Sequence, residues 1–316
     1  MLYPLTFHPI FKERVWGGTK LAELYGKPLP PGKPIGESWE ITDRPEGVSV
    51  IANGPLAGKN LRWLMEHHKR ELLGVVKPAA GGRFPLLVKL LDAREKLSLQ
   101  VHPPAHKAAE LKGEPKTEMW YFADCDPGAD IFAGLKRGVT RADFERRIGD
   151  GNVAECFHRI EVKSGDAMFL PSGRVHALGA GSVLFEIQQN SDTTYRVFDW
   201  NRVGLDGKPR ELHVQQALAS IDFADFEPAL VRPRNDVLVD HELFEVWLVR
   251  CRPDSFHRSE ALGLLVVGVT QGEIEIRAEQ HRLRLRAGQF AVVPACLGSV
   301  DILCESASTV LVARPH

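Results

Sequence analysis

The sequence predicts a mainly β protein, built as two sheet-rich halves of the barrel or sandwich type with a few short helices. Three observations predict it. Short apolar runs recur from residue 84 onward, each bounded by Gly, Pro or Asp. Helical periodicity is confined to brief stretches. The spacing G-x5-P occurs twice, at Gly165–Pro171 and at Gly288–Pro294, so that a strand and its turn recur in the second half.

The elements follow in order. Residues 1–60 are rich in Gly and Pro and contain short strand-like pieces at 40–42 and 48–51. Residues 61–74 read as one helix: apolar positions 61, 64, 65, 72 and 73 share a face, and Gly74 is a natural C-terminal stop. His67 and His68 on it are expected to face solvent. Strands are predicted over 84–91, 98–102, 119–122, 131–133, 155–161, 167–170 and 182–188, and helices over 104–112, 140–148 and 211–220. The Pro-rich stretch 226–236 reads as a junction. It separates an expected catalytic domain at 1–230 from a degenerate domain at 231–316. In the second half, strands are predicted over 246–250, 264–270, 272–277 and 290–293. After Pro294 no histidine follows where His176 follows Pro171, so the second half is expected to bind no metal.

Composition narrows the functional classes. The chain has 316 residues, 44% apolar and 26% charged, within the globular range. Forty Lys and Arg stand against 41 Asp and Glu, so there is no nucleic-acid footprint. Any anion must be held by locally concentrated cations. No apolar run is long enough for a membrane span, and the start lacks the pattern of a signal peptide. The five cysteines, at 125, 156, 251, 296 and 304, are irregularly spaced. They read as reduced thiols of a cytoplasmic protein. No motif specifies an oligomeric state.

The most informative segment is Gly165-Asp-Ala-Met-Phe-Leu-Pro171-Ser-Gly173-Arg-Val-His176. A short apolar strand enters a Pro/Gly turn, and the turn aims His176 back across the sheet. Upstream stand Gln100-Val-His102-Pro and Lys116-Thr-Glu118-Met-Trp-Tyr. Gln100, His102, Glu118 and His176 offer two imidazoles, a carboxylate and an amide oxygen, a set suited to zinc or another borderline metal. Gln100 is the softest of the four, since amides bind zinc weakly, and a hydrogen-bonding role beside the ligands is its alternative.

Strand parity supports the grouping. Side chains alternate faces with period two, so Ser98, Gln100 and His102 share one face and Leu97, Leu99 and Val101 the other. Lys116 and Glu118 share a face, as do Glu186, Gln188 and Asn190. Burying three such polar rows without partners is costly, and a wet cavity holding a metal resolves all three. Lys89 interrupts the apolar run 84–91. It either snorkels or is paired in a cavity. Arg196 has a surface ion pair with Asp192 or Asp199 as its alternative. Glu186 is either structural or a proton-transfer and orienting group, and Trp16, His158 and Asp166 read mainly as structural, with Trp16 at the rim.

The G-x5-P-x-G-x2-H segment resembles the second signature of cupin β-barrels. Together with Gln100-Val-His-Pro, Lys116–Tyr121, Pro171–Ala177 and Glu186–Arg196, in order from Trp16-Gly17-Gly18 to Trp200, it is similar to the short bacterial form of type I mannose-6-phosphate isomerases. The last third matches loosely. The resemblance implies two cupin-like jelly-roll barrels and one zinc per chain, with other divalent metals usable. It implies Lys89, Lys116 and Arg196, with Ser98 and Trp16, around a sugar phosphate, and Lys116, Glu186 and Arg196 as catalytic residues. The implied reaction interconverts mannose 6-phosphate and fructose 6-phosphate through an enediol. Glu186, Lys116 and a metal-coordinated hydroxide all remain open as the base. A three-histidine cupin oxygenase or decarboxylase is disfavoured by Gln100. A non-catalytic sugar-phosphate sensor is disfavoured by intact Lys116, Glu118, His176 and Arg196.

Overall fold

The apolar run Leu86–Ala93 is buried along its whole length, as a strand covered on both faces must be. It lies inside a layered β structure. In this computed structural model, residues 2–259 and 263–316 are described. The first half contains β1 (Ile10–Gly18), β2 (Ile35–Ile41), a small hairpin of β3 (Asp43–Arg44) and β4 (Gly47–Val48), β5 (Leu86–Ala93), β6 (Leu99–Val101), β7 (Glu118–Cys125), β8 (Asp130–Leu135), β9 (Phe157–Glu161), β10 (Ala167–Leu170), β11 (His176–Leu178), β12 (Ser182–Gln189) and β13 (Tyr195–Phe198). They form a six-stranded sheet, β1-β2-β5-β12-β7-β10, and a five-stranded sheet, β13-β6-β11-β8-β9. The second half contains β14 (Val237–His241), β15 (Phe244–Cys251), β16 (Ser255–Ser259), β17 (Leu265–Gln271), β18 (Glu273–Ala278), β19 (His281–Arg286), β20 (Phe290–Val293), β21 (Val300–Cys304) and β22 (Ser308–Pro315). These form two further sheets, β14-β15-β22-β17-β20 and β16-β21-β18-β19.

Alternation along β12 shows how the layers are organised. Val183, Phe185 and Ile187 point outward into a large apolar cluster. That cluster also takes in Leu61, Leu64 and Leu72 of the helical segment and Phe244, Val266 and Phe290 of the second half. Leu184, on the other face, joins Trp16, Trp120, Phe122 and Met168 inside the first half. The two halves thus share apolar surface, and Leu5 also pairs with Val292. No described helix is long and apolar enough to cross a membrane.

Several sequence expectations are corrected. The helix expected over 61–74 is two, Leu61–His67 and Lys69–Leu73, because His68 leaves helical geometry at φ −134° and ψ 24°. His67 is exposed but stacks on Trp63, and His68 is half-buried. The helix over 104–112 shrinks to Ala105–Ala108. The helix at Arg141–Gly149 starts as expected, where Thr140 and Asp143 form a capping box. The strand expected from 155 begins at 157, after a 3-10 turn over Val153–Cys156. Strands β1, β11, β13, β14, β16, β19, β21 and β22 were not anticipated. Several of them, such as His281–Arg286, place charges on an exposed face, so an apolar run does not mark them. Cys251 and Cys304 are paired as a disulfide with Cα atoms 6.1 Å apart, against the expectation of five free thiols. Cys125, Cys156 and Cys296 are free.

The turn after β10 contains the backbone position most relevant to function. Gly173 has φ +94°, which a residue with a side chain rarely adopts. Its N–H donates to the His102 carbonyl at 2.9 Å, and its own carbonyl accepts from Asp222 N–H at 2.9 Å. Ser172 N–H donates to Thr117 Oγ1 at 3.2 Å. This single turn therefore ties together the segments carrying His102, Glu118 and His176. Gly173→Ala should lower stability by about 1–3 kcal/mol, the usual cost of a strained dihedral. Urea denaturation checks this, and an unchanged midpoint would show that the turn tolerates a side chain.

Candidate metal centre and cavity

Two cross-strand rows face each other inside the first half. Across the six-stranded sheet, Trp39, Lys89, Glu186 and Trp120 stand opposite one another in register on β2, β5, β12 and β7. Across the other sheet, Arg196, Gln100, His176 and Ala133 do the same on β13, β6, β11 and β8. Cross-strand partners point to the same side of a sheet, so each row delivers its side chains as a unit. One row brings a cation, a carboxylate and two indoles, and the other a guanidinium, an amide and an imidazole.

His102, Glu118 and His176 converge at full burial, their donor atoms all within 4.8 Å of one another. His176 Nε2 lies 3.3 Å from Glu118 Oε1 and His102 Nε2 lies 3.6 Å from it. His102 Nδ1 is 2.7 Å from the Thr193 carbonyl and His176 Nδ1 is 3.0 Å from the Arg174 carbonyl. A carbonyl can only accept, so each imidazole keeps its proton on Nδ1 and turns the Nε2 lone pair inward. Burial, reinforced by Lys116, pushes His102 down to about 4, and burial likewise lowers His176. Both rings are therefore neutral near neutral pH. Burial alone would raise the Glu118 carboxyl, but the Lys116 ammonium beside it opposes this and holds it below its ordinary range. Lys116 Nζ sits 3.0 Å from Glu118 Oε2.

These atoms fit a cation. His102 Nε2 and Glu118 Oε1 are buried without a hydrogen-bond partner. Two lone pairs and a carboxylate oxygen aimed at one point repel unless something positive stands between them. The backbone carbonyls behind both rings fix their orientation, as is usual for metal-ligating histidines. Gln100 is placed with Nε2 3.3 Å from His176 Nε2 and Oε1 3.2 Å from Ser98 Oγ. Amide orientation is interchangeable about its axis, and a hydroxyl both donates and accepts, so a half-turn brings Oε1 to the same point.

Beside this cluster, bordered by Gln100 and Lys116, opens a cavity of about 550 Å³. Of the residues expected there, Trp16, Lys89, Ser98, Gln100, Lys116, Glu186 and Arg196 all line it. Trp16 is an almost fully buried wall. Lys89 is paired, not snorkelling: Nζ lies 3.1 Å from Glu186, 3.7 Å from Asp192 and 4.0 Å from Glu37. Glu186 also accepts from Trp120 Nε1 at 2.9 Å. Glu37 in turn holds Arg14 through contacts of 3.0 and 3.2 Å. Burial would raise Glu37, yet Lys89 and Arg14 carry it down to about 2.

Arg196 behaves differently. Its Nε donates to Ser98 Oγ at 3.3 Å and its Nη1 to the Glu211 carbonyl at 2.9 Å. Among the described residues it has no carboxylate partner. Asp199 is occupied by Arg202 and Arg210, and Asp192 lies on Lys89. Gln188 and Asn190, expected to share a face with Glu186, do not line the cavity; their amides donate to the backbone carbonyls of Ser191 and Phe84. Sequence reading missed Arg14, Glu37 and Arg210 as cavity residues, and Asp192 as the partner of Lys89. Arg14 lies on the unanticipated β1 and Arg210 in a loop without a motif, so only the three-dimensional arrangement shows them.

Comparisons with known proteins point to one family. Residues 5–127 match the model of the phosphomannose isomerase type I catalytic domain. The chain is similar to the "Probable mannose-6-phosphate isomerase GmuF" of Bacillus subtilis, 43% identical over 96% of this chain and 98% of that one. It is also similar to the mannose-6-phosphate isomerase ManA of the same organism, 37% identical over 95% of each. The crystal structure of a mannose 6-phosphate isomerase from Bacillus subtilis superposes with a TM-score of 0.88, at 34% identity, over 99% of this chain and all of that one.

The buried Lys89 cluster makes a test independent of activity. Lys89→Met leaves Glu37, Glu186 and Asp192 without their shared cation, and should cost about 3–5 kcal/mol near pH 7. A carboxyl held down, like Glu37, contributes stability that is whole above its unfolded value and lost as pH falls towards its folded value near 2. The variant lacks most of that contribution, and its crowded carboxyls gain relief on protonation. Its deficit should therefore shrink as pH falls from about 5. Urea denaturation at neutral and at acidic pH measures both arms. A deficit below about 1 kcal/mol, typical of an exposed pair, would show that Lys89 is not the electrostatic centre of the wall.

Proposed function

The chain belongs to the type I mannose-6-phosphate isomerase family, and from that premise we propose that it interconverts mannose 6-phosphate and fructose 6-phosphate in the cytoplasm, through an enediol, with one divalent cation per chain. The observation that carries the metal is the set of inward lone pairs on His102 and His176 beside the unpartnered Glu118 Oε1. Gln100 completes the set through its amide oxygen. Two imidazoles, a carboxylate and an amide favour zinc over harder cations. Such a cation supplies Lewis acidity that makes a carbon beside a carbonyl easier to deprotonate.

The chain's own residues do the rest. Lys116, fixed beside Glu118, offers an ammonium to sugar oxygens at the cavity floor. Glu186 and Asp192 share Lys89 on the wall, and this carboxylate pair is suited to accept the proton that moves between C1 and C2. Lys89 is engaged by carboxylates, which suits it to orienting Glu186 in addition to meeting the substrate. Trp16 and Trp120 close the walls against water. Arg196, without a carboxylate partner, is the cation best placed to take the phosphate, with Ser98 donating beside it. Anchoring the phosphate there lets remote binding energy position C1 and C2 above the floor.

A coupled assay for fructose 6-phosphate, run with elemental analysis, tests this reading. Stoichiometric metal should be present, should be removed by chelation together with activity, and should be lost in His176→Ala. Full metal and full activity in that variant would remove the ligand assignment. Unphosphorylated mannose should be a far weaker substrate, because it leaves Arg196 without its anion. Arg196→Lys should lower kcat/KM roughly tenfold to a hundredfold, since an ammonium cannot reproduce a bidentate fork. Comparable kcat/KM for mannose and its 6-phosphate would exclude a phosphate pocket.

A further inference from the structure

We propose that Arg210 is a second guanidinium of the phosphate grip, carried to the cavity mouth by the loop that follows β13 and held in aim by Asp199. The inference rests on the reading that Arg196 marks the phosphate end. Arg210 lines the same cavity as Arg196. Its Nε donates to Asp199 Oδ2 at 2.6 Å and its Nη2 to Oδ1 at 2.5 Å. Arg202 donates to the same Oδ1, at 3.0 Å from Nε and 2.8 Å from Nη2, and also holds the Lys96 carbonyl. One almost fully buried carboxylate therefore fixes two guanidiniums next to a third.

The charge balance points the same way. Arg14 is neutralised by Glu37, and Asp206 on the loop, which also lines the cavity, accepts only from the Lys208 backbone N–H. The remaining three guanidiniums, Arg196, Arg202 and Arg210, face the single carboxylate of Asp199. Against Asp199 and Asp206 the three guanidiniums leave this end of the cavity net positive, and their crowding is felt. Burial lowers Arg196 first, and Arg210 lowers it further, with Asp199 opposing. A phosphate monoester carries about −1.5 to −2 charges at neutral pH, the sign that such a cluster of guanidiniums attracts.

The loop is built to hold this position. Asp199 leaves β13 one residue after its end, and His213 N–H returns to the Arg196 carbonyl at 2.7 Å. Between them Gly204 N–H donates to the Lys208 carbonyl at 2.7 Å, and Gly207 takes φ +75° in the resulting tight turn. Leu205 stands at the mouth, 56% exposed. Arg210 is thus a binding residue, and Asp199, which reaches the substrate only through it, is a positioning residue.

Steady-state kinetics with inorganic phosphate as a competitive probe test the proposal. In Arg210→Gln, KM for mannose 6-phosphate and the inhibition constant of inorganic phosphate should rise together by about tenfold or more, with a smaller change in kcat, the pattern of lost uniform binding. Asp199→Asn should move both constants in the same direction, and Arg210→Lys should recover only part of the loss. Thermal unfolding reports whether each variant is folded; if Arg210→Gln is not, Arg210→Lys carries the comparison. Should Arg210→Gln leave both constants within about twofold while Arg196→Lys weakens phosphate, Arg210 is not in the grip. Should Arg196→Lys also leave phosphate inhibition unchanged, the phosphate end lies elsewhere and the preceding reading fails with it.

Discussion

Two neutral imidazoles and a carboxylate, buried and aimed at one point, set the constraint on which the first half depends. His102, His176 and Glu118 have no mutual hydrogen bond that relieves them, because both ring protons are committed to backbone carbonyls. A buried polar group left in this state costs on the order of a few kcal/mol unless it meets a partner. The fold accepts that cost at the seam between its two sheets, where register, turn and backbone hydrogen bonds leave these side chains little freedom. Such a centre is preorganised: it does not have to be assembled when a cation arrives, and cation binding is linked to the stability of the sheets that hold it.

The two sheets divide the work. The five-stranded sheet presents Arg196, Gln100 and His176 in one row, so the proposed phosphate and metal ends are separated by fixed strand spacings. The six-stranded sheet presents Lys89 and Glu186 between two indoles. Burial alone would lower the Lys89 ammonium inside its apolar strand, but Glu186, Glu37 and Asp192 outweigh it and hold it above the usual range. Charge in this cavity is thus sorted: carboxylates gather round Lys89 on the wall, and guanidiniums gather round Asp199 at the mouth. On the proposed reading, that sorting and not the net charge is what lets a near-neutral chain hold an anionic sugar.

Much of this was legible in the sequence, for identifiable reasons. Gly165–His176 specifies a strand, a reversal and a histidine by local turn chemistry alone. The parity of Ser98, Gln100 and His102, and of Lys116 and Glu118, follows from the two-residue repeat of a strand, and these residues are shared between the cavity and the buried cluster beside it. Gln188 keeps its place inside β12 opposite Glu118, but its amide, like that of Asn190 beyond the strand end, is taken up by backbone carbonyls and does not line the cavity. Residues whose roles depend on long-range pairing were invisible. Nothing local connects Arg14 with Glu37, or Asp199 with Arg210. The strand at Ile10–Gly18 was hidden by its mixed polarity and irregular register. The pairing of Cys251 with Cys304 joins strands whose proximity no spacing rule reveals.

The most direct test of the centre is X-ray absorption at the metal edge of the intact protein, purified with its own metal. Two imidazoles with a carboxylate and an amide predict a first shell of nitrogen and oxygen alone, at about 2.0–2.2 Å, with outer-shell scattering from two rings. A sulfur scatterer at about 2.3 Å, or ring scattering from three or more imidazoles, would place the metal elsewhere and contradict the account.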